Sequence, residues 1–234
     1  DLCRCRFAVM NPELTYTLPD YQTQCGCTDI MMHTMERYFN MSENMELTDG
    51  ISEALIKTVM KHSKILKEHP DCYESRAEVM WASSLSHNGL TGCGTDGGDW
   101  ACHQLEHEIG GMFDVAHGAG LAAVWGSWAR YVYKARPERF AKFARNIFNI
   151  QETDDEKAAV AGIEAMENYY RSVGMPTSLC ELGIHATEEQ IKEMADKCSF
   201  YGKRTVGVMK KIGAPEAAEI YRMANDKSIP LYSR

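Results

Sequence analysis

The sequence has no excess of basic residues and no long apolar run, and its first residues do not show the pattern of a secretory signal. Its 234 residues carry 33 acidic and 25 basic side chains, a net charge of -8, which repels a phosphate backbone. We therefore expect no nucleic-acid partner. No run of 18 or more apolar residues is present, and the opening DLCRCRFAVMNPEL has no basic segment followed by an apolar one. Neither a membrane span nor a secretory signal is predicted.

The cysteines do not suit a disulfide framework. Their number, nine, is odd, and a chain of this length can bury a core without covalent cross-links. Free thiols in a reducing compartment are expected, which predicts a soluble, cytoplasmic protein. The pairs CRC (Cys3, Cys5) and CGC (Cys25, Cys27) could supply four sulfurs to zinc. Structural zinc sites use wider spacings, so incidental thiols are the expected role.

Strand signals are scarce, and helical periodicity runs through most of the chain. Only RFAVM and TYTL, both before residue 20, are typical of strands. In ISEALIKTVMKHSKILKEHP, Ile51, Leu55 and Val59 recur on one stripe, and Thr187 with Gln190 forms a capping box before a later helix. The sequence predicts an all-α helical bundle, a single domain over residues 1–234, with a short β segment at its N-terminus.

A glycine-rich stretch, GCGTDGG, imitates a nucleotide-binding motif. Gly92, Gly94 and Gly97 satisfy GxGxxG, but the dinucleotide fingerprint requires a strand before it and an acidic residue about 20 positions beyond. A helical pattern precedes it here. We therefore expect a flexible connection between helices.

The stretch HQLEHEIGGMFDVAH permits two incompatible interpretations. Its first five residues match HxxEH, the inverted zinc-peptidase signature, with His103 and His107 as ligands and Glu106 as base. The whole stretch instead offers three histidines, the last being His117. The spacing of four places His103 and His107 on one helix face. These residues alone leave open which histidines bind a metal.

A second pair at the same spacing lies near the N-terminus. In GCTDIMMHTMERYF, Asp29 and His33 are four residues apart and interrupt apolar neighbours on a helical segment. A carboxylate and an imidazole on one helix, combined with histidines on another, are the donors with which a helical domain encloses a divalent cation. His87 is left undecided. No functional role is assigned to the remaining histidines, His62, His69 and His185.

The runs TDIMMHTMERYF and DWACHQLEHEIGGMFDVAHGAGLAAVW resemble the two metal-binding signatures of the iron-containing alcohol dehydrogenases, close to the butanol dehydrogenases and broad aldehyde reductases. The resemblance extends through nearly the whole chain. It implies that Asp29, His33, His103 and His117 hold the cation. It also implies that His107 is no ligand but lies near the nicotinamide and takes part in catalytic proton movement.

The resemblance further implies NAD(P)H-linked hydride transfer between a primary alcohol such as butanol and its aldehyde. Fe²⁺ is the expected metal, with Zn²⁺ or another divalent cation as the alternative, and NADPH is the favoured reductant. Dimers are common in the family, so a homodimer is a further expectation. Family members begin with an α/β nucleotide-binding domain that this chain lacks. The chain is therefore expected to be the metal-binding part, inactive by itself.

The residues also permit two other functions. An inverted zinc peptidase would use His103, His107 and a third ligand well downstream, such as Glu181, and would not need Asp29 or His33. A helical domain that holds a metal only for stability would show no chemistry at all.

Overall fold

The protein is built almost entirely from α-helices. The structure, a computed structural model, describes residues 5–226. Within these residues the helices are α1 (Asp20–Tyr38), α2 (Glu46–Glu68), α3 (Tyr73–His87), α4 (Ala101–Phe113), α5 (His117–Val132), α6 (Pro137–Phe148), α7 (Asp155–Ser172), α8 (Glu188–Cys198) and α9 (Ala214–Asn225). Four short 3₁₀ helices lie between them, at Pro12–Thr15, Leu90–Gly92, Tyr133–Ala135 and Cys180–Leu182. The all-α expectation is confirmed.

The β segment predicted at the N-terminus is wrong. Residues 7–11 form no regular structure, and Pro12–Thr15 form a 3₁₀ helix capped by the Asn11 side chain, which accepts from Glu13 N at 3.1 Å. The one β-bridge in the described part of the chain joins Val206 and Ile212. A strand requires a ladder partner, and no described residue pairs with the N-terminal segment, so its apolar alternation has no sheet to join.

The helix boundaries follow the signals in the sequence. In α2, Leu55 and Val59 are buried, as the apolar stripe predicts, whereas Ile51 is half-buried. The capping box of α8 is present, with Gln190 N donating to Thr187 Oγ1 at 3.3 Å and Gln190 Oε1 accepting from Thr187 N at 2.9 Å. None of the helices within residues 5–226 combines the length and apolarity needed to span a bilayer.

Helix α5 occupies the centre of the bundle. It packs against α1, α4, α7 and α9, and nearly all of its side chains are buried. Trp125 and Trp128 are fully buried there, among aromatic rings that include Phe140 and Phe143. Because these rings fix α5 along most of its length, its first residue, His117, is held at a defined position between α1 and α4.

The approach of α1 to α5 depends on a glycine. A Cβ at Gly118 would overlap the backbone carbonyl of Cys25. Only a residue without a side chain permits this contact, which brings the ends of the two helices together at one edge of the core.

A buried ion pair ties α2 to α6. Asp49 accepts from Arg139 Nη1 at 2.6 Å and Nη2 at 2.5 Å, and from Lys142 Nζ at 2.6 Å. Burial raises the pKa of Asp49, but the contacts with the two cations outweigh it and leave that pKa below its ordinary value. Asp49 and Arg139 are both nearly fully buried, so neither charge can be solvated if the other is removed.

Candidate metal centre

Three histidines from three helices converge on one oxygen atom of Asp29. Asp29 Oδ1, on α1, lies 3.6 Å from Nε2 of His33, 3.4 Å from Nε2 of His103 and 3.5 Å from Nε2 of His117. His33 is one turn along α1, His103 belongs to α4 and His117 begins α5. Three imidazole nitrogens therefore surround one carboxylate oxygen, and ligand atoms of Asp29, His33 and His103 lie within 4.8 Å of one another.

The separations suit a shared cation. Two atoms that each lie about 2.1 Å from a tetrahedral ion are about 3.4 Å apart. Asp29 Oδ1 and His103 Nε2 are moreover buried and have no hydrogen-bond partner among the described residues. A buried polar atom without a partner is costly, and a bound divalent cation would satisfy both atoms at once.

Two glutamates support the histidines from behind. His103 Nδ1 lies 2.5 Å from Glu36 Oε2, and Glu36 Oε1 accepts from the backbone N–H of His103 at 3.1 Å. His117 Nδ1 contacts Glu106 Oε2. Both carboxylates are almost fully buried. They favour a proton on Nδ1 and leave the Nε2 lone pair of each ring directed at Asp29, the arrangement that metal-binding histidines use.

The electrostatics keep the carboxylate ionised. Burial raises the pKa of Asp29, but the contacts from His103 and His117 outweigh it and hold that pKa well below its ordinary value. Burial lowers the pKa of His33 to about 4, despite the opposing effect of Asp29. An ionised carboxylate beside an unprotonated imidazole is the state in which such residues bind a cation.

The pKa values of the other two histidines, His103 and His117, are raised above the ordinary value. Burial lowers the pKa of His103, but its contacts with Asp29 and Glu36 raise it to about 9. Contacts with Asp29 and Glu106 raise the pKa of His117 to about 10, against burial. A proton and a metal compete for the same nitrogens, so binding a cation at neutral pH releases protons from these two rings.

His107 lies beside this group without joining it. Its ring is stacked on that of His117 with the centroids 5.8 Å apart, and it is 6.3 Å from the ring of His103. Much of the side chain is exposed, and the burial of the remainder lowers the pKa of His107. The nitrogens of His107 are therefore not among the atoms that surround Asp29 Oδ1. Glu106, which would be the catalytic base of an HxxEH peptidase, instead contacts His117.

Two residues at the site could not be assigned to it from the sequence. His87, the last residue of α3, places Nε2 3.6 Å from Asp29 Oδ2, and its ring is tilted against that of His33 with the centroids 3.9 Å apart. Glu36 follows His33 by three residues on α1, so it shares that side of the helix. Its partner His103 is far away in sequence, and no local spacing could have paired them.

The glycine-rich stretch forms a loop between α3 and α4, as expected. Gly94, Gly97 and Gly98 have positive φ angles, and no strand precedes the loop. It ends at Trp100, whose φ of 59° is in the left-handed region. The Trp100 indole lies with its centroid 5.3 Å from that of His33, so this tryptophan borders the site, whereas Trp125 and Trp128 belong to the core.

The cysteines form no cluster that could hold zinc within residues 5–226. Cys25 and Cys27 are free and buried in α1, and Cys5 is free and exposed. Cys3 lies outside the described residues.

Comparison with known proteins identifies the family. Residues 23–224 match the Fe-containing alcohol dehydrogenase family, C-terminal. The chain belongs to this family. It is 37% identical to NADH-dependent butanol dehydrogenase A of Clostridium acetobutylicum over 95% of its own length and 57% of that protein. It is also 32% identical to the NADPH-dependent aldehyde reductase YqhD of Escherichia coli, over 93% of its length and 56% of that enzyme.

Solved structures of the family share the fold. The crystal structure of NADH-dependent butanol dehydrogenase A from Thermotoga maritima superposes with a TM-score of 0.86 at 36% identity, over 92% of this chain and 55% of the other. The substrate- and cofactor-free aldehyde reductase YqhD gives a TM-score of 0.85 at 30% identity. The chain therefore spans about half the length of the relatives that it matches.

Proposed function

We propose that this chain is the metal-binding part of an NAD(P)H-linked alcohol dehydrogenase that reduces aldehydes to primary alcohols such as butanol. The observation that carries the proposal is the convergence of three imidazole Nε2 atoms on Asp29 Oδ1. One carboxylate and three neutral imidazoles leave a divalent centre with net positive charge and an open position, unlike a closed four-sulfur site. Membership of the family and the named relatives support the reaction class.

In this proposal Asp29, His33, His103 and His117 hold the cation. When bound, a divalent cation stabilises the negative charge that hydride addition leaves on a carbonyl oxygen. We propose that His107, exposed beside His117, contacts the nicotinamide and carries a proton toward the product oxygen. Fe²⁺ is proposed from the family, since the same donors also suit Zn²⁺.

The proposal also includes a reductant, a partner domain and an oligomeric state. Butanol dehydrogenase relatives are named as NADH-dependent and the aldehyde reductase as NADPH-dependent. NADPH stays our proposed reductant because the proposed direction is aldehyde reduction. We further propose that a nucleotide-binding α/β domain must be joined to this chain for activity, and that the assembled enzyme is a cytoplasmic homodimer.

Metal content tests the site. Asp29→Ala and His117→Ala should lose bound Fe²⁺ after anaerobic reconstitution, whereas His107→Ala, on the same exposed edge, should keep a full equivalent in elemental analysis. His62→Gln, at a half-buried histidine bonded to Ser75 at 2.9 Å, controls for the loss of any histidine. An inverted peptidase would show the reverse, with metal lost from His107→Ala and retained by Asp29→Ala.

Activity tests the reaction. The chain, fused to the nucleotide-binding domain of a related butanol dehydrogenase, should oxidise NADPH or NADH only when butanal is present. The His107→Ala fusion should keep its metal and lose most of this activity. A fusion that binds metal and cofactor but never transfers hydride would favour the alternative of a non-catalytic, metal-stabilised domain.

A further inference from the structure

His87 faces the metal centre from a direction that the four proposed ligands do not use. It ends α3, and its Nε2 lies 3.6 Å from Asp29 Oδ2, the oxygen opposite the one shared by the other imidazoles. Its ring also lies against that of His33, with centroids 3.9 Å apart and planes tilted by 35°. The side chain is 39% exposed. His87 is therefore both adjacent to the site and accessible from outside it.

The hydrogen bonds of His87 define which nitrogen carries the proton. Nδ1 lies 3.0 Å from the backbone oxygen of Ser83 and 2.7 Å from Ser86 Oγ. A carbonyl oxygen can only accept, so Nδ1 must carry the N–H in order to donate to Ser83. In the neutral ring Nε2 then has a lone pair and no hydrogen. That lone pair faces Asp29 Oδ2 at 3.6 Å, so both atoms could bind one cation.

This arrangement repeats the design of the proposed ligands. His103 and His117 likewise have Nδ1 occupied by an acceptor and Nε2 turned toward Asp29. The 3.6 Å between His87 Nε2 and Asp29 Oδ2 equals the separation of His33 Nε2 from Oδ1, and it is close to the separation of two atoms that share an ion. A cation between the two atoms would be bound by both, as proposed for the other rings.

We propose that His87 is an additional donor to the divalent cation, through Nε2, beside Asp29, His33, His103 and His117. The inference rests on the proposed metal centre and adds a fifth residue to it. Because His87 is exposed and ends its helix, it can leave the ion without disturbing the core. It thus occupies a coordination position until substrate takes that place.

Co²⁺ reports the number of donors directly, because its visible d–d bands are strongest per ion in four-coordinate sites and weaken as further ligands bind. The experiment compares Co²⁺-loaded wild type with His87→Phe, which keeps an aromatic ring beside His33 but has no ring nitrogen. We expect His87→Phe to show higher molar absorbance and about tenfold weaker Co²⁺ binding in competition with a chromophoric chelator. His62→Phe is the matched control and should leave both quantities unchanged.

A second variant protects the test against misfolding. His87→Ala leaves space for a free ring, so added imidazole should return its Co²⁺ spectrum to that of the wild type, which a folding defect would not allow. Identical spectra and equal affinities for wild type, His87→Phe and His62→Phe would overturn the inference. If these three proteins behave alike but His117→Ala abolishes Co²⁺ binding, the inference about His87 is wrong and the proposed four-residue metal centre still stands. If wild type itself binds no Co²⁺, both proposals fall.

Discussion

Replacing Gly120 by alanine should weaken metal binding without touching any proposed ligand. Gly120 lies one turn after His117 on α5, and a Cβ there would lie 2.7 Å from Glu106 Oε1 and 2.8 Å from Glu106 Cγ. Such contacts are too close to persist, and Glu106 is almost fully buried. The carboxylate must therefore move, and its contact with His117 Nδ1 is lost or distorted.

The size of the effect follows from what each contact contributes. Loss of an outer carboxylate partner of a metal-binding histidine weakens metal affinity by about 10- to 100-fold, which corresponds to about 1.4–2.7 kcal/mol. Alanine favours the helix over glycine by about 1 kcal/mol, whereas overpacking costs about 1–3 kcal/mol. The metal-free chain should thus lose at most about 2 kcal/mol of unfolding free energy, so it stays folded while its affinity falls.

The assay is a Zn²⁺ or Co²⁺ titration in competition with a chelator, together with urea unfolding of the metal-free chain. Gly111→Ala on α4 is the matched control, because nothing lies within 4 Å of its added Cβ. That control should keep wild-type affinity and gain stability. A folded Gly120→Ala that binds metal as tightly as wild type would refute the role assigned to Glu106.

Two further changes test the packing. Gly118→Ala places a methyl group against the backbone carbonyl of Cys25, and no side-chain movement can relieve this overlap. The variant should lose at least about 2–3 kcal/mol of unfolding free energy, and calorimetry should show a Tm lowered by about 2–4 °C per kcal/mol. The control Gly26→Ala, with open space at its Cβ, should not destabilise the fold. Asp49→Ala leaves Arg139 buried without its partner and should cost about 3–5 kcal/mol in urea unfolding at neutral pH. Because the folded pKa of Asp49 is depressed, this stabilisation is complete above the unfolded pKa and is lost as the pH falls below about 4, where the curves of wild type and variant should converge. A difference that persists undiminished at lower pH would contradict the charge-based explanation.

The helices could be predicted because their signals are local. The stripe through Leu55 and Val59 and the capping box of Thr187 and Gln190 lie within a few residues of each other, and the structure confirms both. The N-terminal segment RFAVM shows the limit of such signals. Its alternation is equally local, but a strand exists only if another strand pairs with it.

The candidate site was predictable only in part for a related reason. The spacing of four between Asp29 and His33 is visible in the sequence, and so is the similarity of both histidine-containing runs to a known family. The contact of Glu36 with His103 joins α1 to α4, and the approach of His87 to Asp29 joins α3 to α1. Contacts of this kind depend on how helices are arranged in space, which no periodicity in a single sequence encodes.

The distribution of the donors over α1, α4 and α5 has a consequence for the folding of the chain. An ion held jointly by Asp29, His103 and His117, as proposed above, would act as a cross-link that closes two long loops, one from residue 29 to 103 and one from 29 to 117. In the unfolded chain, gathering those residues costs loop-closure entropy, so the ion binds the folded bundle far better than the open chain. The supply of metal would then determine the stability of the fold as well as the activity of the site.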